Sequence, residues 1–216
     1  MEDNIVLNAE KICTGSLGAN CYIVTDEKNM VVVDPGDNGE TIIEQIERIG
    51  LKPSAILLTH AHADHIGAAT QIRDKYNCKI YIGEEDLPLL TDTERNLANY
   101  LGSEGNVYVI SDAIPLKSGD LLDFGDMRVE VYETKGHTAG GLTYKIGNML
   151  FSGDTLFGSN IGRTDLYSGS YEEIMESIAF LANSFRGCEV LCGHGDSTTI
   201  DEEIKNNPYV RQSLGL

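Results

Sequence analysis

The run HAHADH, from His60 to His65, places four side chains that can bind metal within six residues. It directly follows residues 55–59 (AILLT), a short apolar segment typical of a fully buried strand. Open α/β sheets carry their chemistry in loops at the carboxyl ends of such strands. The fold of this chain must therefore bring this polar loop to one edge of a sheet.

The chain has 5 histidines, and the two outside this run also lie in short turns beside glycine. These are His137 in the segment GHT and His194 in the segment GHG, each of which follows an apolar run. A single histidine in such a loop is usually structural or solvated. The gathering of every histidine into strand-end turns instead indicates metal binding.

The spacing of the ligands predicts two ions. Alternate residues of an extended segment point the same way, so His60 and His62 can approach one ion together. Asp64 and His65 come from the turn into the next helix and can reach a second position. Asp154, in the strand-end segment SGDT, is either an ordinary turn aspartate or a carboxylate that bridges two cations, and its place between two histidine turns favours the bridge. We expect two Zn²⁺ per chain, with iron or manganese as alternatives.

The pattern of apolar residues predicts two sheets with helices on their outer faces, in one domain spanning residues 1–216. The predicted strands are residues 5–7, 21–24, 30–33, 55–59, 79–82, 127–133, 142–146, 149–152 and 189–192. The predicted helices are residues 41–49, 65–72, 171–182 and 201–205.

Six segments, in order, resemble the metallo-β-lactamase superfamily, and within it the short relatives of the hydroxyacylglutathione hydrolases (glyoxalase II). They are DPG (34–36), THAHADH (59–65), GHT (136–138), SGDT (152–155), GRTD (162–165) and GHG (193–195), and the resemblance covers nearly the whole chain. It implies an α/β (α+β) fold, a four-layer αββα sandwich of two mixed β-sheets with helices on the outer faces.

The resemblance also assigns the ligands. It implies that His60, His62 and His137 hold the first ion. It implies further that Asp64, His65 and His194 hold the second ion, and that Asp154 bridges both.

The function expected from these residues is a metal-dependent hydrolase, a thioesterase of the hydroxyacylglutathione hydrolase type that acts on a small acyl thioester or ester. Two ions lower the pKa of a shared water, so a metal-bridging hydroxide is the expected nucleophile and Asp64 is a candidate proton shuttle. One alternative is a mononuclear iron persulfide dioxygenase with His60, His137 and Asp154 as ligands. A lactonase on the same scaffold, or a metal-bound module without catalysis, is a further alternative.

Three residues have two interpretations each. Asp34 either orients a ligand loop or has a plain turn role. Arg163 contacts an anionic group of the substrate or, as we favour, anchors its own loop against Asp165. Tyr100 lies in the stretch from Thr91 to Gly105, which is either a lid over the site or a connecting helix.

The charge and composition of the chain limit the partners and the compartment that we expect for the protein. The formal net charge is −18, and its acidic residues, including the run 84–86, are expected to form a solvated surface that excludes nucleic acid and membrane as partners. The acidic N-terminus and the lack of a long apolar run predict a soluble, cytoplasmic protein. The 5 cysteines form no CxxC pair and are expected to be free, buried thiols.

Two properties of the substrate and assembly are left open. Only 22 residues follow His194, and Lys205 and Arg211 are the basic ones, so glutathione recognition through a basic C-terminal region is not expected. The sequence makes no prediction of the oligomeric state.

Overall fold

The computed structural model describes residues 6–102 and 106–216, and most of its strands belong to two six-stranded sheets. The first sheet contains β1 (Asn8–Thr14), β2 (Ala19–Thr25), β3 (Met30–Val33), β4 (Pro53–Leu57), β5 (Lys79–Gly83) and β6 (Ile114–Leu116), in that order. The second sheet contains β7 (Leu121–Phe124), β8 (Met127–Glu133), β9 (Leu142–Ile146), β10 (Met149–Gly153), β13 (Glu189–Cys192) and β14 (Thr198–Thr199). Its spatial order is β14-β13-β10-β9-β8-β7, and β11 (Leu156–Phe157) with β12 (Asn160–Ile161) forms a small separate hairpin.

Both sheets are mixed. In the first sheet β1, β2 and β3 pair antiparallel, and β3 to β6 pair parallel. In the second sheet every pair is antiparallel except β10 with β13. The helices are α1 (Gly39–Ile49), α2 (Ala63–Ile66), α3 (Ala69–Tyr76), α4 (Ala98–Leu101), α5 (Tyr171–Ser184), α6 (Ile200–Asn206) and α7 (Pro208–Ser213), with a 3₁₀ helix at Glu84–Thr91.

Three clusters of buried apolar residues correspond to the three interfaces of a four-layer sandwich. Strand β3 shows why: alternate side chains point to opposite faces, so Met30 and Val32 join the cluster under α1 and α3. Val31 and Val33 join the cluster between the two sheets, which also holds residues of β8, β9 and β10. A third cluster packs α5, α6 and α7 on the outer face of the second sheet. The predicted αββα architecture is confirmed.

Two predicted elements differ from the structure. The first strand begins at Asn8, where pairing with Thr25 starts, and not at residues 5–7; Ile5 lies outside the described residues and Val6 is exposed. The helix expected over residues 65–72 is two helices, α2 and α3. The chain breaks at Gly67, which packs so closely against the Asp34–Gly36 turn that a Cβ at Gly67 would lie 2.4 Å from the Gly36 carbonyl oxygen.

The cysteine prediction is correct for pairing and partly wrong for burial. All five cysteines are free, and four are buried, but Cys13 on β1 is exposed. Strand β1 lies at the edge of its sheet, so one of its faces meets solvent. Among the helices that the structure describes, none is long and apolar enough to cross a membrane.

Candidate metal centre

The candidate ligands lie at one edge shared by both sheets. In the first sheet, β3 ends before Asp34 and β4 ends before the run from His60 to His65. In the second sheet, β8, β10 and β13 run in the same direction and lead to His137, Asp154 and His194. The carboxyl ends of five strands therefore deliver loops to the same place, as the sequence position of the histidines indicates.

The first group of ligand atoms comes from His60, His62 and His137. All three rings are buried, and one ligand atom of each lies within 4.8 Å of the other two. The Nδ1 atom of His62 lies 2.9 Å from Nε2 of His137. The three residues that were expected to hold one ion therefore converge on one point.

The second group comes from Asp64, His65 and His194. Nε2 of His194 lies 3.3 Å from Oδ2 of Asp64 and 3.3 Å from Nε2 of His65. His65 is fully buried, whereas Asp64 and His194 are half-buried. The side of this group that Asp64 and His194 form is thus open to solvent.

Asp154 lies between the two groups. Its Oδ1 atom is 3.4 Å from Nε2 of His65, and its Oδ2 atom is 3.6 Å from Nε2 of His137 and of His194. One carboxylate therefore faces ligand nitrogens of both groups, which is the position that a bridging ligand needs.

The separations in the second group and around Asp154 fit cations better than hydrogen bonds. Nitrogen or oxygen ligands about 2.0–2.1 Å from a tetrahedral zinc ion lie roughly 3.3–3.4 Å from one another. Several of the distances in the second group, and those from Asp154, lie at or just above that value. In addition, His60 Nε2 and Asp154 Oδ1 are buried without a hydrogen-bond partner, which is costly unless another group binds them. The residues present therefore fit a pair of divalent cations.

Asp34 and Thr59 orient two of the histidines from behind. Nδ1 of His65 lies 3.1 Å from Oδ2 of Asp34, and the Thr59 hydroxyl donates to the same oxygen at 2.6 Å. Nδ1 of His60 lies 3.0 Å from Oγ1 of Thr59, so His60 donates to a hydroxyl whose own proton goes to Asp34. Both contacts fix the Nδ1 proton and leave Nε2 as the atom of each ring that can bind metal. Asp34 thus contacts the candidate ligand His65 directly and His60 through Thr59, which agrees with the first of its two interpretations.

Arg163 contributes mainly through its backbone. Its carbonyl oxygen lies 2.8 Å from Nδ1 of His137 and accepts a hydrogen bond from it, which leaves Nε2 of His137 as the candidate ligand atom. Its exposed guanidinium donates two hydrogen bonds to Asp165, at 2.7 and 2.8 Å. The structure therefore pairs Arg163 with Asp165, as the favoured interpretation expects, and adds a contact to His137 that the sequence did not suggest.

Tyr100 is not brought to the ligands. Its side chain is 73 % exposed on α4, and within the described part of the chain no hydrogen bond or ring contact joins it to a ligand residue. The same stretch is anchored at Asn96, which is fully buried and whose carbonyl oxygen accepts a hydrogen bond from the Ala63 amide at 2.8 Å. Part of the expected lid, residues 103–105, lies outside the described residues.

The protonation states of the cluster reflect burial and crowding. Burial, followed by the neighbouring imidazoles, lowers the pKa of His60 well below its usual value. Burial also acts to lower the pKa of His65, but the carboxylates of Asp64 and Asp154 outweigh it and raise that pKa. For Asp154, burial acts to raise the pKa, and the cationic His65 outweighs it, so the pKa lies well below the usual range. Divalent ions bound here would displace the proton of His65.

Sequence reasoning missed Asp86. The acidic run 84–86 was expected to be solvated surface, but Asp86 is fully buried and accepts hydrogen bonds from Ala61, Thr138 and Gly140. Burial raises its pKa, and these hydrogen bonds act in the opposite direction. Its position three residues after the end of β5 is the available signal, because the other candidate site residues also lie shortly after strand ends.

Comparison with known proteins gives the family. A model described as the metallo-beta-lactamase superfamily matches residues 14–194, so the chain belongs to that superfamily of metal-dependent hydrolases. The probable metallo-hydrolase YqgX of Bacillus subtilis is 36 % identical over 200 residues, which cover 91 % of this chain and 94 % of that protein. The hydroxyacylglutathione hydrolase GloC of Haemophilus influenzae is 32 % identical over 208 residues, covering 94 % and 98 %.

Solved structures agree with the fold. The BLEG-1 B3 metallo-beta-lactamase superposes with a TM-score of 0.87 at 34 % identity and covers 94 % of this chain and 99 % of its own. TTHA1623, in a di-iron-bound form, superposes with a TM-score of 0.83 at 31 % identity, covering 93 % and 99 %. ETHE1 from Myxococcus xanthus, at 22 % identity and a TM-score of 0.78 over 95 % of this chain and 85 % of its own, supports the fold alone.

Proposed function

We propose that this chain is a two-metal thioesterase that hydrolyses small acyl thioesters. The observation that carries the proposal is the set of seven converging ligands, in which Asp154 faces both groups. The similarity to a hydroxyacylglutathione hydrolase of Haemophilus influenzae supports the thioester as the substrate class.

In this proposal His60, His62 and His137 hold one ion, Asp64, His65 and His194 hold the other, and Asp154 bridges them. Bound ions of this kind supply Lewis acidity toward an acyl carbonyl and lower the pKa of a water molecule. The nitrogen-rich ligand set suits zinc, which we propose, and also iron, as in the di-iron form of TTHA1623.

The chain's own residues explain why a thiol is the proposed leaving group. All five histidines are used as ligands, so no imidazole remains to protonate a poor leaving group. A thiolate leaves without a strong general acid. Asp64 is the proposed proton shuttle, because its side chain is 17 % exposed and lies 3.3 Å from His194 at the open side of the site.

The identity of the thiol is part of the proposal. Lys205 and Arg211 lie on α6 and α7, and Arg211 donates to the carbonyl oxygen of Lys205 at 3.5 Å. We propose that Lys205 and Arg211 do not bind the two carboxylates of a glutathione thiol. We further propose that neither nucleic acid nor membrane is a partner, given the charge of −18, and that the protein works in the cytoplasm, where free cysteines persist.

The test combines elemental analysis of the protein as purified with hydrolysis assays on S-lactoylglutathione and on an acyl thioester of a neutral thiol. We expect two ions per chain and turnover of the neutral thioester at least as fast as of the glutathione one. Asp154→Ala should lose both ions and at least a hundredfold in kcat/KM, whereas Asp196→Ala, at an exposed carboxylate of the neighbouring loop, should keep both. Two ions retained in Asp154→Ala would contradict the bridging assignment.

The same assays address the mononuclear dioxygenase. That activity requires one iron at His60, His137 and Asp154 and would leave Asp64, His65 and His194 as a second convergent group without an ion. One iron per chain, with oxygen uptake on a persulfide and no thioester hydrolysis, would replace the proposed function.

A further inference from the structure

Asp86 is a buried carboxylate beside the metal centre to which the proposed function gives no role. It lies in the 3₁₀ helix that follows β5, and it is fully buried. A buried charge is costly unless hydrogen bonds or opposite charges compensate it. The partners of Asp86 therefore indicate what it holds in place.

Its three hydrogen bonds come from the two loops that carry the first group of ligands. Oδ2 accepts from the Ala61 amide at 3.1 Å, between the two histidines of that loop, and from the Thr138 hydroxyl at 2.8 Å, next to His137. Oδ1 accepts from the Gly140 amide at 2.8 Å. All three partners are donors, so an ionised carboxylate satisfies them and an amide does not.

The backbone around these hydrogen bonds is packed without spare room. A Cβ at Gly140 would lie 2.4 Å from the Asp86 amide nitrogen, and a Cβ at Gly83 would lie 2.0 Å from the Gly140 carbonyl oxygen. The loop after His137 is thus pressed against the end of β5 by close backbone contact as well as by the carboxylate. These contacts leave little freedom for the loop to shift.

We infer that Asp86 is a positioning residue for the ion held by His60, His62 and His137. It joins the loop of the first two histidines to the loop of the third, and so sets the approach of His62 Nδ1 to His137 Nε2. Asp34 plays the corresponding part for His65 in the second group. The inference rests on the ligand assignment of the proposed function and is independent of the substrate.

Substitution of Asp86 should affect only one of the two metal sites. Asp86→Asn places an amide NH₂ against at least one N–H or O–H donor, so that one loop loses its anchor. Loss of a group that orients metal ligands typically weakens metal binding by about 10- to 100-fold. We expect this loss at the first group of ligands and no more than a twofold change at the second.

The experiment measures Zn²⁺ affinity in two backgrounds that each keep one site. His194→Ala leaves the first group complete, and His62→Ala leaves the second. Zn²⁺ is titrated into each metal-free protein against a chromophoric chelator, with and without Asp86→Asn, and Co²⁺ spectra of the same samples report the ligand geometry. Asp86→Asn should weaken binding at least tenfold and change the Co²⁺ spectrum in the His194→Ala background alone.

Two further variants separate positioning from general damage. Thr138→Val removes one of the three donors and should weaken the first site several-fold, whereas Thr138→Ser keeps the hydroxyl and should restore it. Asp26→Asn is the matched control, because Asp26 is also buried and accepts amide hydrogen bonds from Lys28 and Asn29 in a turn. It should leave Zn²⁺ affinity unchanged in both backgrounds.

The outcomes are distinguishable. If His62→Ala and His194→Ala do not each remove one ion, the ligand assignment of the proposed function fails. If they do, but Asp86→Asn weakens both sites equally or neither, the inference about Asp86 is overturned. If Asp86→Asn does not fold, the Thr138 variants decide the question, and an unchanged first site in Thr138→Val overturns the inference.

Discussion

Thr59 is a small residue whose hydroxyl connects the candidate metal ligand His60 to a buried carboxylate. It accepts from Nδ1 of His60 and donates to Asp34, which also accepts from His65. In the proposed ligand assignment, the tautomers of two ligands on different ions would thus depend on a single carboxylate. The orientation of these imidazoles therefore depends on the side chains that hydrogen-bond to them.

Thr59→Val tests this relay at one atom. Valine keeps the shape of threonine but cannot accept from His60, so the Nδ1 proton of His60 loses its partner while the Asp34–His65 contact remains. We expect Zn²⁺ affinity at the first site to fall about 10-fold or more, with Thr59→Ser close to wild type. Chelator-competition titration measures this, and equal affinities for Thr59→Val and wild type would contradict the relay.

The cysteines give a second prediction at the scale of residues. Burial raises the pKa of Cys192 to about 12 and that of Cys78 to about 11, whereas Cys13 is exposed. Reaction with a disulfide reagent needs an accessible thiolate. In the native protein we expect one thiol to react rapidly and the remaining four to react only after denaturation. Fast reaction that persists in Cys13→Ser would show that another cysteine is accessible.

At the scale of elements, the end of β10 determines where the carboxylate of Asp154, the proposed bridging ligand, lies. Gly153 has a φ of +50°, and pairing with β13 shifts register between Phe151 and Gly153. A Cβ at Gly153 would lie 2.2 Å from the Thr59 hydroxyl oxygen. The strand therefore turns toward Asp154 at a position that has no room for a side chain.

Gly153→Ala should accordingly damage stability and metal binding together. A left-handed backbone costs a non-glycine residue about 1–2 kcal/mol, and the contact with Thr59 adds to this cost. The matched control is Gly119→Ala, because Gly119 also has a positive φ but a Cβ there meets nothing within 4 Å. Urea unfolding and metal analysis should show Gly153→Ala less stable than Gly119→Ala and depleted of both ions. Equal stability and equal metal content of the two variants would show that the contact of residue 153 with Thr59 is unimportant.

What the sequence predicts depends on whether an element is determined locally. Strands β3 and β4 are buried on both faces and largely apolar, so the sequence predicts both, although β4 lies at Pro53–Leu57, two residues before the predicted 55–59. The break between α2 and α3 arises from contact with the turn at Gly36, which is distant in sequence. The burial of Asp86 likewise depends on Thr138, 52 residues further along the chain. Features that depend on contacts between residues distant in sequence cannot be predicted from the local sequence pattern.

At the scale of the whole molecule, two tyrosines join the sheets close to the candidate metal centre. The hydroxyl of Tyr22, on β2, donates to the Cys192 carbonyl oxygen on β13 at 2.7 Å. The hydroxyl of Tyr144, on β9, donates to the Leu58 carbonyl oxygen beyond β4 at 2.7 Å. Each sheet thus supplies one donor and one acceptor to the interface, just behind the ligand loops.

Metal ions should add to this connection, because their proposed ligands come from both sheets. An ion that binds the folded chain and not the unfolded chain stabilises it by about 4 kcal/mol at a free concentration 1,000 times its Kd. Removal of metal with a chelator should therefore lower Tm by several degrees, and Zn²⁺ should restore it. The same treatment of Asp154→Ala should change Tm little.

The size of that stabilisation should depend on pH in a defined direction. In the metal-free protein the pKa of His65 is raised, so its protonated form stabilises the fold at pH values below the unfolded pKa, and this contribution is lost as pH rises through the folded pKa. An ion that binds Nε2 of His65 must displace that proton, which makes binding weaker at low pH. At a fixed free Zn²⁺ concentration that stays well above the Kd, the difference in free energy of unfolding between metal-bound and metal-free protein should grow from pH 6 upward. The growth should be about 1.4 kcal/mol per pH unit for each proton released. Unfolding at several pH values measures it, and a difference that stays constant or shrinks with rising pH would mean that no proton leaves His65 when Zn²⁺ binds.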